Sequence, residues 1–181
     1  MNTYIAFVRN VMQGREGLTK ELLVQAFEQA GALNIVTHLT TGNVSFCYPG
    51  KKIKSLKAKV ESALAGILNK TEPVFIINYD ELIKIDFEAI FSTSTEDVYE
   101  RCITFVDKAF TLMEALPLQT ENKDLQILQV EGRFVFSITR LYNNRPGNPN
   151  KWVEKQALQS ASTRNINTVL RILKRSGTAG R

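Results

Sequence analysis

Apolar residues along the first 78 positions alternate between strand-like and helix-like spacing. Four short runs predict strands, and these are Thr3–Val8, Ile35–Leu39, Val44–Tyr48 and Val74–Ile77. Two longer segments place apolar side chains three or four residues apart, with the stripes Leu22, Leu23, Ala26, Phe27, Ala30 and Ile53, Leu56, Val60, Leu64, Ile67. Such stripes are typical of amphipathic helices. The predicted order is therefore β-α-β-β-α-β, the split βαβ arrangement of a ferredoxin-like unit.

The second part of the chain repeats much of this order. Strands are predicted at Cys102–Val106 and on both sides of Glu131-Gly132, and Asp107 is a predicted helix cap. The helix after it would carry Phe110, Met113 and Leu116. Two helical segments close the chain, so no closing strand is expected. The predicted fold class is α+β, with two ferredoxin-like halves of which the second lacks its closing strand.

This pattern divides the chain into three parts. Residues 1–78 form the first ferredoxin-like half, residues 79–98 a connecting segment, and residues 99–181 a second half with basic C-terminal helices. The polar run 92–95 is the expected boundary. Within the first half, Thr41-Gly42-Asn43 predicts a tight hairpin in which Gly42 or Asn43 takes a positive φ.

Composition narrows the class of protein. The chain has 181 residues, of which 44% are hydrophobic and 23% charged, which is ordinary for a soluble globular protein. It contains no apolar run near the roughly 20 residues that span a bilayer, and its first residues do not look like a signal peptide. Cys47 and Cys102 cannot form a disulfide framework, so we expect a protein of the reducing cytoplasm.

Charge is unevenly spread along the sequence. The segment from Arg133 to Arg181 contains ten basic residues and one acid, Glu154, and the preceding 132 residues contain 13 basic and 17 acidic groups. The C-terminal third therefore carries +9 and the rest −4. One interpretation is a basic surface for an anionic partner, such as a phosphorylated small molecule or nucleic acid. The alternative is that the basic end pairs with the acidic region 80–100 of the same chain.

No catalytic or metal-binding signature is found. The chain has a single histidine, His38, and its two cysteines are far apart, which excludes the usual structural zinc site. His38 reads as an ordinary strand histidine, and both cysteines read as buried small side chains. We therefore predict no catalytic residues, metal or cofactor. Tyr4, Phe46 and Tyr48 lie where RNA-binding ferredoxin-like domains stack bases, but the Gly-Phe-x-Phe signature is missing.

The start of the last helix is the best candidate for a site. Thr163 is a predicted cap, and Arg164 and Asn165 would follow in the first turn, where free backbone N–H groups attract anions. Arg171 falls on the same stripe. The alternative is that Arg164 pairs with an internal carboxylate. The lysines between 51 and 59 crowd another helix start and allow the same two interpretations: an anion site or a solvated face.

Three segments together resemble a bacterial family of unknown function, domain family 1697. They are Thr3-Tyr4-Ile5-Ala6-Phe7-Val8-Arg9, Thr41-Gly42-Asn43-Val44-Ser45-Phe46 and Ser162-Thr163-Arg164-Asn165-Ile166-Asn167-Thr168-Val169. The resemblance implies a duplicated ferredoxin-like α+β fold and no assigned enzyme activity. The loop after Arg9 departs from the family pattern, because it keeps one glycine of the usual Arg-Gly-Ile-Asn-Val-Gly-Gly run.

Three functions remain open from the sequence. The first is a non-enzymatic module that binds an anionic ligand through its basic C-terminal third, and its candidate residues are Arg9, Thr163, Arg164, Asn165 and Arg171. The second is an enzyme for a small phosphorylated or carboxylated substrate in the cleft between the halves. The third is a protein-interaction or self-association module.

Overall fold

The computed structural model describes residues 1–92 and 96–178. The chain forms two compact units. Unit 1 comprises Met1–Lys84 together with the chain from Ile172 onward, and unit 2 comprises Ile85–Arg171. Most of the run expected to mark the boundary, residues 93–95, lies outside the described residues. The three-part division of the chain stays a prediction.

Unit 1 has the element order that the apolar pattern predicts. Its elements are β1 (Asn2–Val8), α1 (Lys20–Gln29), β2 (Leu33–His38), β3 (Asn43–Tyr48), α2 (Ile53–Leu68), β4 (Val74–Asn78) and the short α3 (Tyr79–Leu82). The strands form one antiparallel sheet in the order β2-β3-β1-β4. The α+β fold class and the first β-α-β-β-α-β unit are confirmed.

The core of unit 1 lies between one face of this sheet and the two long helices. Phe27, Val60 and Leu64 are fully buried there, and Leu22 and Ile53 pack against it while partly exposed. The helical stripes of the sequence thus face the sheet, as expected from their spacing. Burial of these side chains is what fixes α1 and α2 on the sheet.

The hairpin between β2 and β3 depends on Gly42. Its φ is +68°, which confirms the predicted left-handed residue, and its carbonyl accepts a hydrogen bond from Val8 N at 2.8 Å. A Cβ at this position would lie 3.0 Å from Val8 Cβ and would overlap the Val11 side chain. Only glycine fits both the backbone angle and the space.

Unit 2 contains most of the remaining elements. They are α4 (Phe87–Phe91), β5 (Glu100–Val106), β6 (Leu118–Gln119), β7 (Leu125–Glu131), β8 (Phe134–Thr139), β9 (Leu141–Tyr142), β10 (Arg145–Pro146), α5 (Pro149–Ala157) and β11 (Ala161–Asn165). Its main sheet has the order β11-β5-β8-β7-β6. The last helix, α6 (Ile166–Thr178), begins in unit 2 and continues into unit 1.

The prediction of a helix after Asp107 is wrong. Residues 107–117 contain neither helix nor strand. Phe110 and Leu112 both pack against the core of unit 2, whereas Met113 is 96% exposed. Side chains two residues apart reach the same core from an extended chain, but on a helix they would diverge. Packing of this segment therefore overrides its helix-like spacing.

The prediction that the second half lacks a closing strand is also wrong. Residues 161–165 form β11, which pairs antiparallel with β5 from Ala161↔Val106 to Asn165↔Cys102. The buried residues of this strand, Ala161 and Ser162, are small, so it shows no apolar alternation. Its partner lies some sixty residues earlier in the chain. Pairing at that distance is decided by tertiary structure.

Among the described residues, no helix has the length and apolar character that crossing a bilayer requires.

Candidate functional site

Three of the predicted site residues lie on a strand rather than on a helix. Thr163, Arg164 and Asn165 belong to β11, and α6 begins only at Ile166. Thr163 Oγ1 lies 2.8 Å from Thr104 Oγ1 and donates to Asn150 Oδ1 at 3.3 Å. Asn165 donates to Glu100 Oε1 at 3.4 Å and accepts from Asn167 N at 2.9 Å. Because these residues pair with β5, they do not form the free first turn that the anion-site argument required.

Arg164 is partly buried, and its guanidinium makes hydrogen bonds within unit 2. It donates to Ser162 Oγ at 2.8 Å and to the Thr163 carbonyl at 2.9 Å. Burial lowers the pKa of Arg164 to about 10, which leaves the side chain charged at neutral pH. Its hydrogen bonds hold the end of β11 and indicate a structural role.

Arg9 and Arg171 lie in different units. Arg9 directly follows β1 in unit 1, where its guanidinium forms an ion pair with the buried Glu72 at 3.5 Å. Lys70 binds the same Glu72 at 3.5 Å and Glu16 at 2.8 Å, so Arg9 is part of a charge network beside the altered loop. Arg171 is exposed on α6 within unit 2. The five predicted residues thus do not all belong to one unit, and their role as an anion site stays a prediction.

His38 and Cys102 are buried side chains with no sign of a catalytic role. His38 is buried, and its Nε2 lies 2.8 Å from Ser45 Oγ. Burial and the nearby positive charge of Arg175 lower the pKa of His38. Burial and the carboxylate of Glu100 raise the pKa of Cys102 to about 12, so its thiol stays protonated. Within residues 1–92 and 96–178, no group of three His, Cys, Asp or Glu side chains is placed to hold a metal ion.

The two units differ sharply in charge. Unit 1 contains 13 basic and 7 acidic residues, a formal charge of +6, whereas unit 2 contains 10 basic and 11 acidic residues, a formal charge of −1. Seven of the ten basic residues of the C-terminal third belong to unit 2, together with most of the acids that precede them. The positive charge of the chain is therefore concentrated in unit 1. Counting along the sequence missed this, because units are formed by folding.

Within unit 1, the start of α2 carries three free lysines, which we call the lysine site. Lys51, Lys52 and Lys54 are exposed, and within the part of the chain that the structure describes their side chains make no hydrogen bond or ion pair. The helix start itself has no side-chain cap and no acidic residue in its first turn. Three cations at an uncapped helix N-terminus repel one another and the helix dipole, so an anion at this point would be stabilising.

Two other lysines of the cluster are placed differently. Lys57 forms an ion pair with Glu61 at 3.6 Å and lies over the Phe75 ring, 5.7 Å from its centroid. Lys59 is exposed beside the groove between α1 and α2. Only the first turn of α2 thus combines free lysines with an open helix start. The sequence shows five similar lysines, and the structure separates them.

An open pocket of about 360 Å³ lies beside the lysine site. Its lining includes Asn2, Tyr4, Tyr48, Gly50 and Lys51. The backbone of Gly50 lies so close to the Tyr48 ring that a Cβ would approach Tyr48 Cε1 to 2.7 Å, and the Tyr4 ring stacks on Phe46 with centroids 5.8 Å apart. These contacts hold both tyrosines in place. Sequence reasoning noted the lysines and Tyr4 separately, but nothing local to either places them together.

The chain is similar to proteins whose function is not assigned. A family model described as "Protein of unknown function (DUF1697)" matches residues 1–136. A solved structure described as conserved bacterial protein SP0830 from Streptococcus pneumoniae is similar with a TM-score of 0.60 and 17% identity, over 97% of this chain and 98% of that chain. No curated protein matches the sequence. The comparisons show the family and the fold.

Proposed function

The chain belongs to this family of proteins of unknown function, and we propose that it is a non-enzymatic module that binds a phosphate-bearing small molecule at the lysine site. The observation that carries the proposal is the combination of Lys51, Lys52 and Lys54 with the uncapped start of α2, next to an open pocket. The proposal keeps the anionic ligand expected from the sequence. It moves the site from the C-terminal third to unit 1, where the net positive charge lies.

Each part of the site has a separate role. The lysine ammonium groups neutralise the phosphate, and the first backbone N–H groups of α2 donate to its oxygens. Tyr4 and Tyr48 offer apolar ring surface to the rest of the ligand, and Asn2 offers an amide. A planar or sugar-like group of modest size suits a pocket of this volume.

The side chains around the pocket favour ligand binding over catalysis. Those named above are an amide, two phenols and an ammonium group, and its other lining residues are Met1 and Pro49. None is a carboxylate, imidazole or thiol, the groups that usually act as base or nucleophile near neutral pH. A cytoplasmic location is part of the proposal, and it is supported by the two unpaired cysteines.

Calorimetric titration with pyrophosphate, ribose 5-phosphate and AMP tests the site. The variant Lys51→Ala/Lys52→Ala/Lys54→Ala is expected to lose binding of whichever probe the native protein takes. The matched control is Lys20→Ala/Lys59→Ala/Lys84→Ala, which removes three other exposed lysines of unit 1 and lowers its charge equally. This control should bind with nearly native affinity.

Two results would overturn the proposal. One is a native protein that binds none of the three probes at low ionic strength. The other is equal weakening in both triple variants, which would mean that the ligand responds to overall charge and not to the start of α2. Melting curves of both variants check that the fold is retained.

A further inference from the structure

A short β-arm projects from unit 2 at the end of its third long strand. It consists of β9 and β10, joined by Asn143 and Asn144, which have φ values of +51° and +59°. Two successive left-handed residues are the mark of a tight two-residue hairpin whose twist matches its strands. Tyr142 pairs with Arg145, and Leu141 pairs with Pro146. The arm is therefore regular to its tip.

The base of the arm is anchored to the start of β7. Arg140 N donates to the Asp124 carbonyl at 2.8 Å, and Gly147 N donates to the Arg140 carbonyl at 3.4 Å. At Gly147 an added Cβ would overlap the Asp124 carbonyl and lie 3.0 Å from Leu125 Cβ. Both ends of the arm are thus held, although a two-stranded hairpin alone is only marginally stable. Because the arm is already ordered, a partner that binds it would cause little further loss of conformational entropy.

The arm exposes two apolar side chains and one arginine to solvent. Leu141 is 53% exposed and Tyr142 48% exposed, and Arg145 is exposed as well. Within residues 1–92 and 96–178, neither the Tyr142 side chain nor the Arg145 side chain has a hydrogen bond or an ion pair. Exposed apolar residues are common singly, but adjacent ones on an anchored arm beside a free arginine are typical of a contact surface.

The strand pairing within the arm places an aromatic ring next to a guanidinium. Because Tyr142 and Arg145 are opposite each other in an antiparallel pair, their side chains stand on the same face. An exposed ring next to a guanidinium can stack a base and bind the adjoining phosphate. The arm itself, residues 141–146, carries one basic residue, Arg145, and no acid, so its own charge matches a phosphate.

We propose that the β9–β10 arm binds single-stranded nucleic acid, with one base stacked on Tyr142 and its phosphate on Arg145. A duplex is a poorer partner because its bases are already stacked and paired. The inference is independent of the lysine site, which lies in unit 1 and takes a small ligand. Failure of one proposal leaves the other standing.

Fluorescence anisotropy with labelled 12-nucleotide RNA and DNA strands tests the arm, and the corresponding duplexes are measured alongside. The native protein should bind at least one single strand more tightly than its duplex. Tyr142→Ala and Tyr142→Leu should each weaken this binding about tenfold, the effect of losing one stacked base, whereas Tyr142→Phe should retain it. Arg145→Ala should reduce the slope of log affinity against log salt by about 1.

The control variants lie within residues 107–117 of unit 2, which form neither helix nor strand. Met113→Ala and Lys108→Ala remove another exposed apolar side chain and another exposed cation, and both should bind like the native protein. Because the arm residues are exposed, all variants should melt as the native protein does. The proposal is overturned if neither RNA nor DNA binds, or if Tyr142→Ala and Tyr142→Leu bind as tightly as native. Equal binding by Tyr142→Leu and Tyr142→Phe would also overturn it, because stacking requires the ring.

Discussion

The two sheets of this protein repeat one strand order but are covered differently. In unit 1 the order is β2-β3-β1-β4, and in unit 2 the corresponding strands lie in the order β7-β8-β5-β11, with β6 added at the edge. Unit 1 keeps a helix in both crossover positions, whereas unit 2 keeps only α5 and replaces the other helix by residues 107–117. Since Phe110 and Leu112 still pack on the core there, the topology requires covered apolar surface and not a particular helix.

The units also differ in how they handle charge. Unit 2 is nearly neutral, and its partly buried Arg164 donates to a hydroxyl and a carbonyl of its own strand. Unit 1 carries +6 and leaves three lysines free at a helix start. Such a cluster costs the fold a small electrostatic free energy, which a bound anion would offset. This contrast is the reason for placing the small anionic ligand in unit 1.

The largest expected effect compares one glycine from the hairpin of each sheet. Gly42→Ala should lower the free energy of unfolding by about 3 kcal/mol, because the new methyl combines a left-handed φ with overlap at Val8 and Val11. Gly132→Ala, at φ +58° with no atom near its Cβ position, should cost about 1 kcal/mol. Urea denaturation measures both. Equal losses would show that backbone strain alone decides and that the close approach at Gly42 is unimportant.

An intermediate effect tests whether Arg164 is structural. Arg164→Ala should lower the free energy of unfolding by about 1–2 kcal/mol, because Ser162 Oγ and the Thr163 carbonyl lose a charged donor. Arg171→Ala, at an exposed position of the same unit, should change stability by about 0.5 kcal/mol or less. Phosphate binding measured by calorimetry should be unchanged in both. Loss of that binding in Arg164→Ala would return the anion site to the C-terminal third.

The smallest effect is a pH dependence that arises in unit 1. His38 is the single histidine of the chain, and burial and Arg175 lower its pKa below the ordinary value of 6.5. The unfolded chain therefore binds a proton more readily than the folded one as pH falls through 6.5. His38 costs the fold nothing above pH 6.5, and stability declines as pH drops from there toward the pKa of the folded state.

Replacement of that histidine isolates its contribution. His38→Gln keeps a side chain able to hydrogen-bond Ser45 but cannot titrate. Melting temperatures between pH 5 and 7.5 should therefore fall less steeply on acidification than those of the native protein. Parallel curves for the two proteins would contradict a lowered pKa for His38.

The sequence shows the individual residues of the candidate site but not that they lie close together. The lysines after Pro49-Gly50 and the aromatic positions of β1 and β3 are visible as residues, and the missing cap is visible as Lys52 where Ser, Thr, Asp or Asn is usual. Their meeting beside one pocket is not visible, because β1 and α2 are about fifty residues apart. The anion site predicted at residues 163–165 stays a prediction, but the helix start on which it was based is wrong for a related reason. A Thr-Arg-Asn run has the composition of a helix start, and its pairing with β5 overrides that preference.

The sequence by itself determined the β-α-β-β-α-β part of unit 1, because most of its strands and both long helices bury faces whose spacing is local. The apolar run of β1 and the stripe of α2 need no knowledge of distant residues, and Gly42 indicates its hairpin. Only the tertiary structure decided that residues 107–117 cover a core without a helix and that β11 completes the second sheet. It also decided which acids share a unit with which bases. These features depend on contacts between residues far apart in the chain, and such contacts leave no periodic trace in the segments that make them.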